Sequence, residues 1–362
     1  MKISVPDYIL SIKPYSPGKP LEELEREYGI ADSIKLASNE NPLGPSPMAI
    51  EAIRQAMPKL NRYPDGSGHD LIRKISDHIG VFPRHIVLGN GSDEIIGMLA
   101  FALLQPGDEA VMPNPSFLMY DIMVRGAGAV PISVPLTSLA IDLDRILERI
   151  TAKTRMIFLC NPNNPTGTII PKSDFDTFIK AIPDEIIVVM DEAYIEFVRD
   201  QNCAVSLEYM DDRTPLVVLR TFSKVYGLAG LRIGYGVMPT AIADILNRIR
   251  LPFNANSLAQ VGAGAALEDT SFIEKVISVI HEGLDFLYNA LDRLGIEYFP
   301  TQTNFFLIDV RKDADNIYEN MLRQGVIVRS MKSYGYPNYI RVNVGRHEEN
   351  VRFLQALEKS MA

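Results

Sequence analysis

The chain has 362 residues, 47% hydrophobic and 22% charged, with a formal net charge of −9, long enough to bury a large core without disulfide or metal staples. The acidic balance, with no Lys/Arg-rich run, argues against nucleic acid or an anionic membrane surface as a partner. Its two cysteines, Cys160 and Cys203, belong to no C-x-x-C or Cys/His cluster, which argues against structural zinc and fits a reducing compartment.

Residues 1–20 carry prolines and charges but no apolar h-region, so no signal peptide is expected. The longest apolar runs, such as 98–104 and 186–190, are too short to span a bilayer. The expected location is the cytoplasm. Residues 1–38 show no strand–helix alternation and are expected to form an arm packed on a small domain or on a partner subunit. From there, short apolar runs alternate with helical patterns. Residues 86–88 read as a strand and 92–104 as a helix opening on a Ser/Asp cap. Strands follow at 109–112, 131–134, 156–159, 186–190 and 216–219, and helices at 117–125, 142–150, 172–181 and 240–250. Continuously apolar strands are buried on both faces, and the alternation of β and α predicts an α/β fold with a largely parallel sheet. After about residue 256 the texture changes. Helical patterns cover 257–294, then strands at 305–310, 326–328 and 339–343 mix with helices at 314–323 and 347–360, which reads as a smaller α+β domain.

In α/β sheets ligands collect at the carboxyl ends of strands. Four polar clusters fall there: Gly89 to Asp93, Cys160 to Gly167 (C-N-P-N-N-P-T-G), Asp191 to Tyr194 (D-E-A-Y), and Arg220 to Lys224 (R-T-F-S-K). Each has a bland reading on its own. Asn, Pro and Gly are turn residues, an Asp at a strand end is often a helix cap, and a lone lysine is usually solvated. Together they suit one ligand, pyridoxal 5'-phosphate. A phosphate wants a helix N-terminus (Gly91 to Asp93, with Ser92), a hydroxyl (Ser223) and a guanidinium (Arg232). A pyridinium nitrogen wants a buried carboxylate, Asp191, and a phenolate oxygen wants donors, Asn164 and Tyr194. Lys224 suits Schiff-base chemistry in such an electropositive pocket, and Phe117 suits a ring face. His69, His78, His85, His281 and His347 are scattered, so no metal site is expected.

The run N-P-x-N-P-T-G, D-x-x-Y, S-K-x-x-G-L-A-G-x-R-x-G, present here from Asn161 to Gly167, Asp191 to Tyr194 and Ser223 to Gly234, resembles the fold-type-I, aspartate-aminotransferase-like enzymes. Within them the chain is most similar to the class-II-like histidinol-phosphate aminotransferase family, through Lys13-Pro14-Tyr15, Ser38 to Gly44, Arg62 to Asp65, Gly89 to Glu94, Pro113 to Tyr120, Gly325 to Arg329 and Tyr339 to Gly345. The resemblance implies a large domain at 39–266 with a mostly parallel seven-stranded sheet and a small domain at 267–362. It implies that Lys224 anchors the cofactor and carries the proton, and that Asp191 pairs with the ring nitrogen. Asn164 and Tyr194 would bond the ring oxygen, and Ser92, Asp93 (through its backbone), Ser223 and Arg232 would surround the phosphate. Tyr63 would reach that phosphate from the partner of a homodimer. Arg341 would clamp the α-carboxylate, Arg329 would meet a substrate phosphate, and Tyr15 and Asn39 would line the substrate end. Where relatives often have Tyr, Phe117 keeps the stacking face and loses the hydroxyl. The implied reaction moves an amino group from glutamate to imidazole acetol phosphate, giving histidinol phosphate and 2-oxoglutarate. An aromatic amino acid aminotransferase and a threonine-phosphate decarboxylase are similar alternatives. The complete Asn164/Asp191/Lys224/Arg232 set argues against a non-catalytic regulator, and the lack of G-x-G-x-x-G after the first strand argues against a dinucleotide-dependent dehydrogenase.

Overall fold

Met156, Phe158 and Cys160 face one hydrophobic cluster while Ile157 and Leu159 face another, and the same alternation recurs at Val189 against Val188 and Met190. A strand with apolar residues at every position must have cover on both sides. The computed structural model of the chain, which describes residues 3–15, 18–30 and 32–361, supplies that cover. Its strands in chain order are β1 (Ile34–Lys35), β2 (Ile86–Gly89), β3 (Glu109–Asn114), β4 (Val130–Pro135), β5 (Thr154–Cys160), β6 (Ile187–Asp191), β7 (Leu216–Thr221), β8 (Gly234–Val237), β9 (Glu297–Phe299), β10 (Phe305–Asp309), β11 (Val326–Ile327), β12 (Arg329–Ser330) and β13 (Tyr339–Asn343).

Seven strands form the main sheet in the order β2-β8-β7-β6-β5-β3-β4. Helices Ser92–Leu103, Met119–Gly126 and Thr240–Ile249 pack on one face, and Lys172–Ala181, Leu143–Glu148 and Ser257–Glu268 on the other. The strands from β7 to β4 are parallel, whereas β8 is antiparallel to both of its neighbours, β2 and β7. Two reversals cancel, so β2 runs with β7, and the carboxyl ends of β2, β5, β6 and β7 share one edge. The sequence reading did not find β8, because glycines at 234 and 236 mask its apolar pattern. Gly234 is required there: a Cβ would lie 2.6 Å from the Ser92 backbone nitrogen.

One local expectation is corrected. The helix Ser92–Leu103 is not capped by a Ser or Asp side chain; Gly91 is its N-cap, with φ +79° and no side-chain cap hydrogen bond. A Cβ on Gly91 would lie 2.6 Å from Arg232 Nη2, so the close approach of that guanidinium demands glycine.

The helix Thr270–Leu294 leads out of the main body for 25 residues, about 37 Å at helical rise. Asp269 caps it by accepting from the Phe272 N–H, and Gly295 ends it at φ +65°. It leads to an antiparallel sheet in the order β12-β13-β10-β9, packed with helices Ala314–Leu322 and His347–Met361. The N-terminal segment binds there through β1, which pairs in parallel with β11, and through Leu21–Tyr28, whose Tyr28 hydroxyl donates to Glu319 at 2.6 Å. Its first helix, Asp7–Leu10, lies instead against Met119–Gly126, so the arm touches both bodies. Among the described residues, no helix is long and apolar enough to cross a membrane.

Candidate active site

The shared strand edge opens into a crevice of about 260 Å³. Every residue singled out from the sequence lines it except Tyr63: Ser92 and Asp93 beyond β2, Asn164 beyond β5, Asp191 and Tyr194 at β6, Ser223, Lys224 and Arg232 beyond β7, and Phe117 above them. Arg329 and Arg341 enter from the small sheet, and Tyr15 and Asn39 from the N-terminal segment. The strand neighbours β5, β6 and β7 bring three of the motifs together, and β2 delivers the fourth across β8.

At one end the uncapped turn of Ser92–Leu103 meets Ser223 and Arg232. Arg232 sits in the left-handed region at φ +55° and donates from Nη2 to Asp93 at 3.1 Å and from Nη1 to the Ala229 carbonyl at 3.2 Å. Free N–H groups at a helix start, a hydroxyl and a fixed guanidinium make an anion cradle.

At the floor, Asp191 is 4% exposed. Its Oδ2 accepts from the Tyr120 hydroxyl at 2.7 Å and its Oδ1 from the Ala193 N–H at 3.2 Å. Burial pushes its pKa up to about 6, with the Tyr120 hydrogen bond opposing the rise. Tyr120 is fully buried, stacked on Phe158 at 4.9 Å and edge-on to Phe117 at 5.6 Å. Sequence reasoning missed its role. The available signal is its i, i+3 spacing from Phe117, which puts both rings on one side of a helical turn.

Opposite, Lys224 Nζ donates to the Ser38 carbonyl at 3.3 Å and lies 5.5 Å from the centre of the Tyr194 ring. Burial, helped by the positive charge of Arg341, draws its pKa down to about 8. Such an amine is neutral and nucleophilic in a far larger fraction than a solvated lysine.

The small-domain wall carries the two arginines. Arg329 and Arg341 stand directly opposite each other in the β12–β13 pair, so their side chains share a face. Arg341 is buried; Nη1 donates to Asn164 Oδ1 at 2.5 Å and Nη2 to the Ala37 carbonyl at 2.8 Å, while Nε has no hydrogen-bond partner among the described residues. Tyr334 also lines this wall and was not anticipated. Tyr63 lies elsewhere. It is 81% exposed and stacks on Phe253 at 4.6 Å.

These residues fit pyridoxal 5'-phosphate end to end. The glycine-lined cradle at Gly91 would hold the phosphate, the buried Asp191 would face the ring nitrogen, Asn164 and Tyr194 would face the ring oxygen, and Lys224 would face the aldehyde. The class of protein follows from fold and site together: an enzyme whose cofactor is pyridoxal 5'-phosphate. Residues 31–357 match the family described as aminotransferase class I and II. A histidinol-phosphate aminotransferase of Desulfotalea psychrophila is 49% identical over 360 residues, covering 99% of this chain and 95% of that protein. One from Moorella thermoacetica is 45% identical, covering 98% and 92%. The solved structure of histidinol-phosphate aminotransferase from Sinorhizobium meliloti in complex with pyridoxal-5'-phosphate has a TM-score of 0.91 at 28% identity, over 98% of this chain and 96% of that one. This chain belongs to the class I and II aminotransferase family.

The Tyr120–Asp191 contact gives a first prediction. A hydrogen bond to a charged group contributes about 1.5–3 kcal/mol. Tyr120→Phe is therefore expected to destabilise the apoprotein by about 1.5–3 kcal/mol at pH 7, where Asp191 is mostly ionised, measured by denaturant unfolding; unchanged stability would show that the hydroxyl is dispensable.

Proposed function

We propose that this chain transfers an amino group between glutamate and imidazole acetol phosphate, yielding 2-oxoglutarate and histidinol phosphate in histidine biosynthesis. The observation that carries the reading is the pair of guanidiniums at Arg329 and Arg341, fixed opposite each other on one wall of the crevice. Two anionic groups on the substrates can be met there, and the names of the relatives at 49% and 45% identity point to the same substrate.

Bound pyridoxal phosphate supplies an aldehyde that accepts the amino group and a ring that accepts electrons from the α-carbon. The chain does the rest. Lys224 Nζ holds the aldehyde end and then moves the α-proton. Asp191 holds a proton on the ring nitrogen, which keeps the ring an electron sink. Asn164 and Tyr194 donate to the ring oxygen, and Phe117 covers the ring face. Ser92, Ser223, Arg232 and the Asp93 backbone grip the cofactor phosphate. Arg341 takes the α-carboxylate bidentately, Arg329 takes the substrate phosphate, and Tyr15 and Asn39 border the substrate end. In this reading residues 1–38 form an arm, 39–266 the cofactor domain and 267–362 the substrate-clamping domain.

The enzyme works as a homodimer in the cytoplasm. Support for the dimer comes from an apolar face. Tyr63 and Phe253 stack in the open, with Met57, Leu60 and Leu251 each more than half exposed. Such patches commonly mark an interface. Tyr63 would cross it to the partner's cofactor phosphate. Co-expressing Tyr63→Phe with Lys224→Ala tests this, because only a mixed dimer rebuilds one intact site. Activity above that of either parent is expected, and none would place Tyr63 outside the site.

The substrate assignment is tested with purified, cofactor-loaded protein offered imidazole acetol phosphate, phenylpyruvate and threonine phosphate in separate assays. A kcat/KM for imidazole acetol phosphate at least about 100-fold above that for phenylpyruvate is expected, the scale of one well-placed polar contact or more. Preference for phenylpyruvate, or release of carbon dioxide from threonine phosphate, overturns it.

A further inference from the structure

Residues 36–39 run as a strap between the two bodies of the molecule. The Leu36 carbonyl accepts from the Asn343 N–H at 3.0 Å, and the Ala37 carbonyl accepts from Arg341. The next carbonyl, of Ser38, turns the other way and accepts from Lys224. Asn39 then sits at φ +56°, a left-handed conformation that asparagine adopts more readily than other non-glycine residues. Both of its backbone groups are held by side chains from the small sheet. Its N–H donates to Asn343 Oδ1 at 3.1 Å, and its carbonyl accepts from Asn304 Nδ2 at 3.2 Å. So fixed, the Asn39 side-chain amide donates to the Tyr194 hydroxyl at 2.9 Å.

Asn39, Asn304 and Asn343 are all buried, at 2%, 0% and 3% exposure. Among the described residues, the Oδ1 atoms of Asn39 and Asn304 have no hydrogen-bond partner, and buried acceptors left so are costly. A buried knot with two unpaired acceptors is poor design for stability alone. It makes sense where the geometry that it enforces is used.

We propose that Asn304 and Asn343 are positioning residues that hold Asn39 in its left-handed conformation, so that the Asn39 amide donates to the Tyr194 hydroxyl and sharpens that hydroxyl as a donor to the cofactor ring oxygen. A hydroxyl that accepts a hydrogen bond becomes a stronger donor through its own hydrogen. The small domain thereby tunes the cofactor through three linked asparagines without touching it. This rests on Tyr194 facing the ring oxygen, as in the function proposed above, but it does not depend on which substrate the enzyme takes.

The test reads the pH midpoint of the visible absorbance of the holoenzyme without substrate. Donors to the ring oxygen favour its unprotonated form, so weakening them raises the midpoint. The charged and titratable groups around the Tyr194 side chain are Arg341 from the small sheet, Asp191 and Cys160 from the main sheet, and Lys224, and none of them is substituted in the variants. Asn39→Gly keeps the left-handed backbone and removes the amide donor, and is expected to raise the midpoint by about half a pH unit. Asn343→Ala and Asn304→Ala are expected to raise it similarly. In the Asn39→Gly background neither should raise it further, since residues acting through a common partner are not additive. Asn343→Ser and Asn304→Ser are made in parallel, so that a variant unable to hold cofactor does not end the experiment. A loaded variant that keeps the wild-type midpoint removes that asparagine from the scheme. A full extra shift in the Asn39→Gly background overturns the proposal. Failure of the substrate panel with these shifts intact would overturn the substrate assignment alone.

Discussion

Lys224→Ala should lower turnover by ~10⁴-fold or more, because in the proposed function it removes both the cofactor anchor and the group that moves the α-proton, and proton transfer alone commonly contributes 10²–10⁴-fold. The fold should survive. Among the described residues Nζ makes a single 3.3 Å hydrogen bond, to the Ser38 carbonyl, and the side chain lines the crevice rather than the core. Borohydride treatment of wild-type holoenzyme, then proteolysis and mass spectrometry, should place the pyridoxyl mass on the Lys224 peptide; finding it on another lysine would refute the assignment. The pKa of about 8, drawn down by burial and Arg341, adds a kinetic signature. The apoprotein should capture cofactor about tenfold faster for each pH unit gained below 8, then level off. An ordinary lysine, whose pKa is 10.5, would keep accelerating well past pH 9.

Asp191→Asn should give the opposite pair of changes in activity and stability. The carboxylate proposed to hold a proton on the ring nitrogen is lost, and turnover should fall by about 10³-fold, the scale seen for preorganised electrostatic groups. The apoprotein, however, should become more stable at neutral pH. Burial raises the Asp191 pKa from 3.8 to about 6. A raised folded-state pKa means that the native apoprotein binds this proton more tightly than the unfolded chain does. Stability from this group is therefore present below pH 3.8 and is lost as pH rises to 6. Above that, the buried charge costs on the order of 3 kcal/mol. Asparagine keeps an acceptor for Tyr120 and carries no charge. Denaturant unfolding of both apoproteins should show the variant more stable by about 2–3 kcal/mol at pH 7, with the gap shrinking toward pH 4. A variant less stable at pH 7 would mean that the Asp191 charge is better solvated than its burial implies.

The site was legible where chemistry is written in contiguous motifs. Asn164, Asp191, Tyr194, Ser223 and Lys224 each sit within a few residues of an apolar strand, so strand order alone brings them together. What escaped was whatever depends on long-range contact. Tyr120 meets Asp191 from 71 positions away, and Asn39 is held by side chains more than 260 residues distant. No local pattern encodes such distances. The fold shows the same division. The nine strands found from sequence are the β-branched and aliphatic ones. Gly234–Val237 hid because close packing against the Ser92 turn requires glycine, and Glu297–Phe299 hid because three residues are too few to establish a period. The cap at Ser92–Leu103 differs from expectation for a local reason: Ser92 and Asp93 carry the polar signature of a cap, but both lie inside the helix and Gly91 takes the N-cap position.

One contact described above settles a question of orientation. A guanidinium has only donors to offer, so Arg341 Nη1 can face Asn164 only through the oxygen of that amide. The NH₂ half must then turn the other way, toward the cofactor side of the crevice. Arg341, the substrate clamp of the proposed function, thus also acts as a compass needle for the neighbouring amide, and replacing it with an uncharged residue would leave Asn164 free to present either end to the crevice.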